Sequence, residues 1–403
     1  MKKTILLFAS IALSCAASDS LLKPINDLGY GTWAARVQAL SMYRDYENNG
    51  VNGNAYATTL GLRLGYTTPE LAGFSAGFVW DYAESVSDTD QSNNGQNLLF
   101  NGRINVLTEA WVKYNFGAIG LTNTFVKAGR QVVNGEVFRA DEFRQKPRAL
   151  EAVVLTTKDI PDTTLTVGHV NRLSNVWDSN SNGKRLSWRY HDIEDVLGVN
   201  YNTRGVSWIE AVNTSITNLE IAVYDAYAYD IVNIAGGRVK YTVTDTTALN
   251  GYYRHESDVG KGADRSSDMF GVSVQQKVGD VTLEPGWFSV RGDSLVFSEL
   301  YTGINHPLGS SMMIYGGIFN GGADTYYLKA TTKIDKTILY ALYSYTANTV
   351  LSYAGQELNV VVKQPITDRF SIALKVGAGY RDWDNGNENT VATDTRLFVT
   401  YDF

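Results

Sequence analysis

Apolar residues recur at every second position through run after run of this chain, and few folds can use that pattern. In Ala55–Thr67 (AYATTLGLRLGYT), Leu60, Leu62, Leu64 and Tyr66 share one face and Arg63 takes the other. In Val106–Phe116, Ala110, Val112, Tyr114 and Phe116 oppose Glu109, Trp111, Lys113 and Asn115. Ser371–Tyr380 sets Ile372, Leu374, Val376, Ala378 and Tyr380 against Lys375. The final run, LFVTYDF, sets Leu397, Val399, Tyr401 and Phe403 against Arg396, Thr400 and Asp402, with Phe398 the exception. A period of two belongs to a strand with one apolar and one wet face.

The connections alternate in length. Short ones fall at 68–71, 117–120, 159–162, 279–280, 335–336 and 365–368. Long polar ones fall at 45–53, 85–105, 132–147, 172–196, 257–267, 292–323 and 383–391. Short turns at one end and long loops at the other describe a transmembrane barrel, whose strands take roughly 9–11 residues each. The pattern predicts 18 strands: 30–44, 54–67, 72–84, 106–116, 121–131, 148–157, 163–171, 197–213, 218–229, 236–244, 247–256, 268–277, 280–291, 324–334, 337–347, 356–365, 369–382 and 392–403. Sixteen is the runner-up, and 292–323 reads as a long loop folded inward. The predicted fold class is therefore all-β, an antiparallel transmembrane β-barrel. A sandwich would not need such strands this often, and no fixed-period repeat marks a solenoid.

Residues 1–17 (MKKTILLFASIALSCAA) read as a secretory signal peptide, with two lysines, an apolar run and small residues. That leaves 18–403 as the barrel domain. Cys15, the only cysteine, leaves with the leader, so disulfides, thiolate metal sites and cysteine nucleophiles are excluded. The net charge is −7 before Lys2 and Lys3 are lost, which excludes a nucleic-acid binder by overall charge. With 37 Gly and 25 Tyr but 7 Pro, the composition suits strands and tight turns. No apolar run past the leader is long enough for a membrane helix. The expected location is the outer membrane of a Gram-negative bacterium.

With the apolar faces turned to lipid, the charges on the other faces line the lumen. The basic wall predicted by alternation includes Arg36, Arg63, Lys113, Arg238, Lys240, Arg254, Lys329, Lys375 and Arg396. Inward acids are expected to be few, mainly Asp81, Glu109 and Asp394, with most acidic residues in or beside the long loops. A low-dielectric tube lined by one sign of charge concentrates the opposite ion, so the pore is expected to favour small anions such as carboxylates.

The stretch Lys127–Ala152, KAGRQVVNGEVFRADEFRQKPRALEA, leaves a strand at Gly-Arg-Gln and returns through Asp-x-x-Arg-x-x-Pro-Arg. It resembles the third-loop region of the OprD family of substrate-specific outer-membrane porins, and the barrel-wide layout fits over the whole mature chain. The resemblance implies an 18-stranded monomer or loose trimer whose third and seventh external loops, here about 132–147 and 292–323, narrow the pore. It also implies basic residues that guide carboxylate-bearing solutes. Arg130, Asp141, Arg144 and Arg148 come from the matched motif as constriction residues, and Lys127 joins them by strand facing. Arginine offers a planar fork that matches a carboxylate, and Asp141 would hold the loop by pairing.

The four His, at 169, 191, 255 and 306, lack metal-ligand spacing. No cofactor or metal is expected, and nothing marks a nucleophile, so no enzyme is expected. Asp178–Gly183 begins like a calcium loop but has Arg189 where a bidentate acid is needed. A sugar-specific porin would show a row of inward aromatics, of which Trp111 and Tyr252 are the candidates. A structural or adhesive barrel would act through its loops. The expected partners are outer-membrane lipid, small anionic solutes and the barrel assembly machinery. Tyr401 and Phe403 read as the assembly signal and then as interfacial aromatics. Deleting Phe403 is expected to lower the amount of heat-modifiable barrel recovered from membranes; an unchanged yield would count against that role.

Overall fold

The computed structural model describes residues 22–48, 51–88, 103–140, 144–176, 186–262, 264–295, 316–384 and 389–403. The expected leader, residues 1–17, lies outside them. The chain runs through β1 (Thr32–Asn48), β2 (Val51–Thr67), β3 (Phe74–Asp88), β4 (Ile104–Asn115), β5 (Thr124–Gln131), β6 (Ala149–Ile160) and β7 (Thr163–Ser174). After the two-residue β8 (His191–Asp192) and a helical turn, Ile193–Leu197, come β9 (Val206–Asn213), β10 (Leu219–Ala228), β11 (Val232–Thr244), β12 (Thr247–Asp258) and β13 (Ser266–Val278). The remainder are β14 (Val281–Gly292), β15 (Ala323–Ile334), β16 (Thr337–Asn348), β17 (Tyr353–Pro365), β18 (Phe370–Trp383) and β19 (Thr390–Asp402).

Eighteen of these strands form one antiparallel sheet in which each pairs with its neighbours in sequence. β7 pairs directly with β9, and β8 only borders β7 at Arg172 and Leu173. The sheet closes because β1 pairs with β19 from Arg36↔Asp402 to Glu47↔Val391. Closure leaves no edge, so every strand's backbone groups find partners within the wall. This is the 18-stranded barrel expected from alternation.

Several boundaries differ from expectation, such as β3, which runs on to Asp88, and β11, which starts already at Val232; two other differences reshape the connections. The strand placed at 197–213 begins only at Val206, because Ile193–Leu197 forms a helical turn ending at Gly198, in the left-handed region (φ 69°). Gly205 (φ 86°) then brings the chain so close to Val170 that a Cβ there would lie 2.1 Å from its carbonyl oxygen. The second difference is at 45–53, expected as a loop. β1 and β2 stay paired up to Asn48↔Val51, since a hairpin can keep its ladder where neither face needs to be apolar.

The outward faces carry exposed aliphatics such as Leu62, Val112, Val153, Val223, Val272, Leu328 and Leu358. Aromatic rings band them at both ends. At the turn end, Trp33 lies 4.8 Å from Tyr66, Phe74 4.5 Å from Tyr114, and Tyr401 4.8 Å from Phe403. At the loop end, Trp80 lies 5.8 Å from Tyr82, Tyr227 5.0 Å from Tyr229, and Phe270 5.5 Å from Trp287. Amphipathic rings settle at the two interfaces of a bilayer.

The seam has its own buried clasp. Asp394 on β19 accepts from Arg44 on β1 and, at 2.9 Å, from Arg396 two residues along. All three side chains are nearly inaccessible, Asp394 at 1%. Replacing Asp394 with Ala would leave two buried guanidinium groups without their shared carboxylate, at a cost of about 3–5 kcal/mol. The expected result is a markedly lower temperature for the heat-modifiable gel shift; an unchanged transition would show that the clasp contributes nothing.

Candidate functional site

The predicted wall residues do face the lumen. Arg36↔Arg63, Arg63↔Asp81, Lys113↔Lys127, Arg238↔Tyr252, Glu284↔Lys329 and Lys375↔Arg396 are register partners on inward faces. Lys240 and Arg254 share those faces through Lys240↔Asn250 and Gly236↔Arg254.

The expected charge balance needs correction, because inward acids are more numerous than Asp81, Glu109 and Asp394. Arg36 pairs with Asp402 at 2.7 Å, Arg63 with Asp81 at 2.8 Å and Lys127 with Glu109 at 3.5 Å. Arg238 pairs with Glu136 at 2.8 Å, Lys329 with Glu284 at 2.9 Å, and Arg254 with Glu256. A wall of unscreened like charges in a confined space would repel itself, and these acids offset it. Among the described residues, Lys113, Lys240 and Lys375 make no ion pair. Inward rings are also more numerous than Trp111 and Tyr252, and many seat a cation. Lys127 lies 4.2 Å from the Trp111 ring centre, Lys113 4.4 Å from Phe125, and Lys375 5.4 Å from Phe398.

The connection from β5 to β6 crosses this lumen. On one side, Glu210 of β9 accepts the backbone N–H groups of Glu136 (2.8 Å) and Val137 (3.0 Å). Phe138 stands edge-on to Trp208, centroids 4.8 Å apart. Gly135 allows this close approach, since a Cβ there would lie 2.0 Å from the Glu210 carboxylate and displace it. On the other side, Gln145 donates to Thr59 Oγ1 (2.6 Å), and Gln38 donates to the Arg144 carbonyl (3.1 Å). The segment therefore ties β1 and β2 to β9 and β11 across the tube. Between it and the wall lies a cavity lined by Arg36, Gln38, Arg63, Arg144, Gln145 and Lys146.

The motif residues divide. Lys127 and Arg130 are inside. Strict alternation from Lys127 would turn Arg130 to the lipid, but the irregular backbone at Gly129 (φ 116°) brings its guanidinium 4.6 Å over the Tyr190 ring. Arg144 lines the cavity. Arg148 is 1% exposed and donates to Asn175 Oδ1 at 3.2 Å, so it braces the loop from behind. Asp141 lies outside the described residues. Lys146, also buried, donates to the carbonyls of Pro147 (3.1 Å) and Ser174 (3.3 Å). Burial pushes its ammonium down to about 7 despite the attraction of Asp81.

Alternation missed the anchors. Glu210 sits beside Trp208 on a strand that alternation starts at 197 rather than at 206, and Glu-Val-Phe at 136–138 marks an apolar pair within a polar loop. It also missed a second inward segment. Trp188 and Tyr190 pack on inward apolar residues Leu40, Met42, Ala83, Ile104 and Val106, and Tyr190 donates to the Thr108 carbonyl at 2.6 Å. Of the segment 292–323, residues 296–315 lie outside the described residues. Its ends do turn in, with Leu295, Ile318 and Phe319 packed on inward Met269, Phe288 and Val290.

The sequence matches the family described as outer membrane porin, OprD family, over residues 43–335. No curated protein matches it. Among solved structures it is similar to a BenF-like porin from Pseudomonas fluorescens, with 15% identity, TM-score 0.75 and coverage of 93% of this chain and 98% of that one. It is similar to OpdK from Pseudomonas aeruginosa solved with vanillate, with 13% identity, TM-score 0.71 and coverage of 92% and 98%. Acinetobacter baumannii OccAB4 matches with 17% identity, TM-score 0.70 and coverage of 92% and 97%. At such identities the likeness is one of fold.

Replacing Glu210 with Ala removes the carboxylate that holds the N–H groups of Glu136 and Val137. Single-channel recordings are expected to show higher conductance and more flicker, with Glu210→Gln, which keeps an acceptor oxygen, affected less. Wild-type conductance and noise in Glu210→Ala would refute this anchoring role.

Proposed function

This chain belongs to the OprD family of outer membrane porins, and we propose that it passes small anionic solutes, carboxylates foremost, by diffusion through its lumen. Its family and fold are those of channels rather than enzymes, and of proteins of the Gram-negative outer membrane. The single observation that carries the anionic reading is the cavity under the crossing loop. Arg36, Arg63 and Arg144 line it together with Gln38 and Gln145. Guanidinium groups pair with carboxylates in a two-pronged geometry that neutral solutes cannot use. Acids on the wall hold Arg36 and Arg63 in place, so an entering carboxylate meets donors already oriented.

Lys113, Lys127 and Lys375, each seated on an inward ring, extend this basic surface along the tube. The rings lie beneath cations, which favours the anionic reading over a sugar-sliding track. OpdK, a similar barrel, has been solved with vanillate, an aromatic carboxylate. That supports a carboxylate as the first solute class to try here.

Planar-bilayer reversal potentials in a salt gradient test the sign of selectivity. Wild type is expected to favour anions, and Arg144→Ala with Lys113→Ala to lower the anion-to-cation permeability ratio several-fold. Liposome swelling is expected to be faster with small carboxylates than with neutral sugars of similar size. A cation-selective wild-type channel would sink the proposal.

A further inference from the structure

The lipid-facing wall carries a polar group that transport leaves unused. It lies at the loop ends of β7, β9 and β10. His169 and Ser207 are register partners, and their side chains meet, Nδ1 to Oγ, at 2.9 Å. Asn171 Oδ1 lies 2.8 Å from the other ring nitrogen. Tyr229, just past β10, places its hydroxyl 3.2 Å from Ser207 Oγ, and its ring stands 6.2 Å from His169. Arg204, just before β9, lays its guanidinium 4.3 Å over that ring. The outward sense is set by the neighbours: Val206 and Trp208 are buried inside, while Val167 and Ile209, on the same face as His169 and Ser207, are exposed.

A serine beside a histidine held by a carboxamide invites comparison with a nucleophile. However, β9 is paired along both edges, so its backbone N–H groups are committed to the ladder and none is free to hold an oxyanion. The group needs another explanation, because polar side chains facing lipid are costly except near the headgroups.

A second cation completes it. Lys261 lies 5.5 Å over the ring of Tyr201, whose hydroxyl donates at 2.8 Å to the carbonyl of Asp230, the residue after Tyr229. Arg204 and Lys261 thus flank one turn, and both are exposed. Among the described residues neither makes an ion pair. Other outward cations at this end do: Arg103 pairs with Glu84 at 2.6 Å and Arg291 with Asp324 at 3.0 Å. A guanidinium seated on a ring keeps its in-plane N–H fork open, and that fork fits phosphate. The hydroxyl, imidazole and carboxamide groups beside it suit sugar hydroxyls, and the aliphatic face below suits acyl chains.

We propose that Arg204 and Lys261, seated on Tyr229 and Tyr201, form a site for a phosphorylated acyl glycolipid of the outer leaflet. Its phosphates meet the two cations, its sugar meets His169, Asn171 and Ser207, and its chains descend along Val167 and Ile209. The site fixes a lipid to one sector of the wall, over β7 to β12, and leaves the pore untouched.

The test uses the whole protein purified in detergent and native mass spectrometry with three probes: bisphosphorylated lipid A, the same lipid after phosphatase treatment, and inorganic phosphate. The phosphorylated lipid is expected to bind best. The Arg204→Ala, Lys261→Ala double variant is expected to bind it about thirtyfold more weakly, from about 1 kcal/mol per basic residue near a charged lipid surface. Arg291→Ala, at a cation already paired, should bind like wild type. All variants should keep a heat-modifiable barrel and wild-type conductance. Equal binding of the dephosphorylated lipid, or an unchanged double variant, would overturn the proposal. Inorganic phosphate binding as tightly as the lipid would overturn it too, by assigning a free-anion site.

Discussion

Hydrocarbon offers a backbone no hydrogen-bond partner, so a sheet that crosses it must close on itself. Everything else in this molecule depends on that closure. The ladder between β1 and β19, from Arg36↔Asp402 to Glu47↔Val391, makes a ribbon into a tube. Once the tube is closed, each strand has one face in lipid and one in a confined aqueous space. The period of two then sorts side chains between two solvents. Leu62 and Val112 go out; Arg63 and Lys113 go in.

The confined space imposes the next constraint. Charges facing one another across a narrow lumen interact more strongly than on an open surface. The wall meets this by pairing most of its arginines with acids on neighbouring strands or on the crossing loop, and by seating lysines on rings. The pairs at Arg36, Arg63 and Arg238 thus have two effects: they lower repulsion, and they hold guanidinium groups in fixed directions. The lysines left without an acid among the described residues, Lys113, Lys240 and Lys375, stand on separate strands around the tube, while Arg36, Arg63 and Arg144 gather where the loop meets β1 and β2.

The inward loops follow from composition on the inner face itself. Several lumen-facing positions near the loop end are apolar, such as Leu40, Met42, Ile104 and Val106 on one side and Val170, Ala226 and Ile234 on another. Such patches would cost free energy if left wet. Trp188 and Tyr190 cover the first, and Val137, Phe138 and the turn Ile193–Leu197 cover the second. Folding loops inward thus buries apolar wall and narrows the passage at once.

Alternation alone determined the strand count, the lipid-facing and lumen-facing sets and the place of the charged loop at 132–147, because each depends on neighbours one or two residues apart. It could not determine which charges would meet. Glu210 and Glu136 are 74 positions apart, and Arg44 and Asp394 are 350 apart. Even Arg130 escaped, since one irregular glycine reversed its facing. The burial of Arg148, the cavity beside Arg144 and the lining by Trp188 and Tyr190 belong to tertiary structure alone. They arise where loop and wall come together around a closed tube, and no local period records which strand a loop will touch.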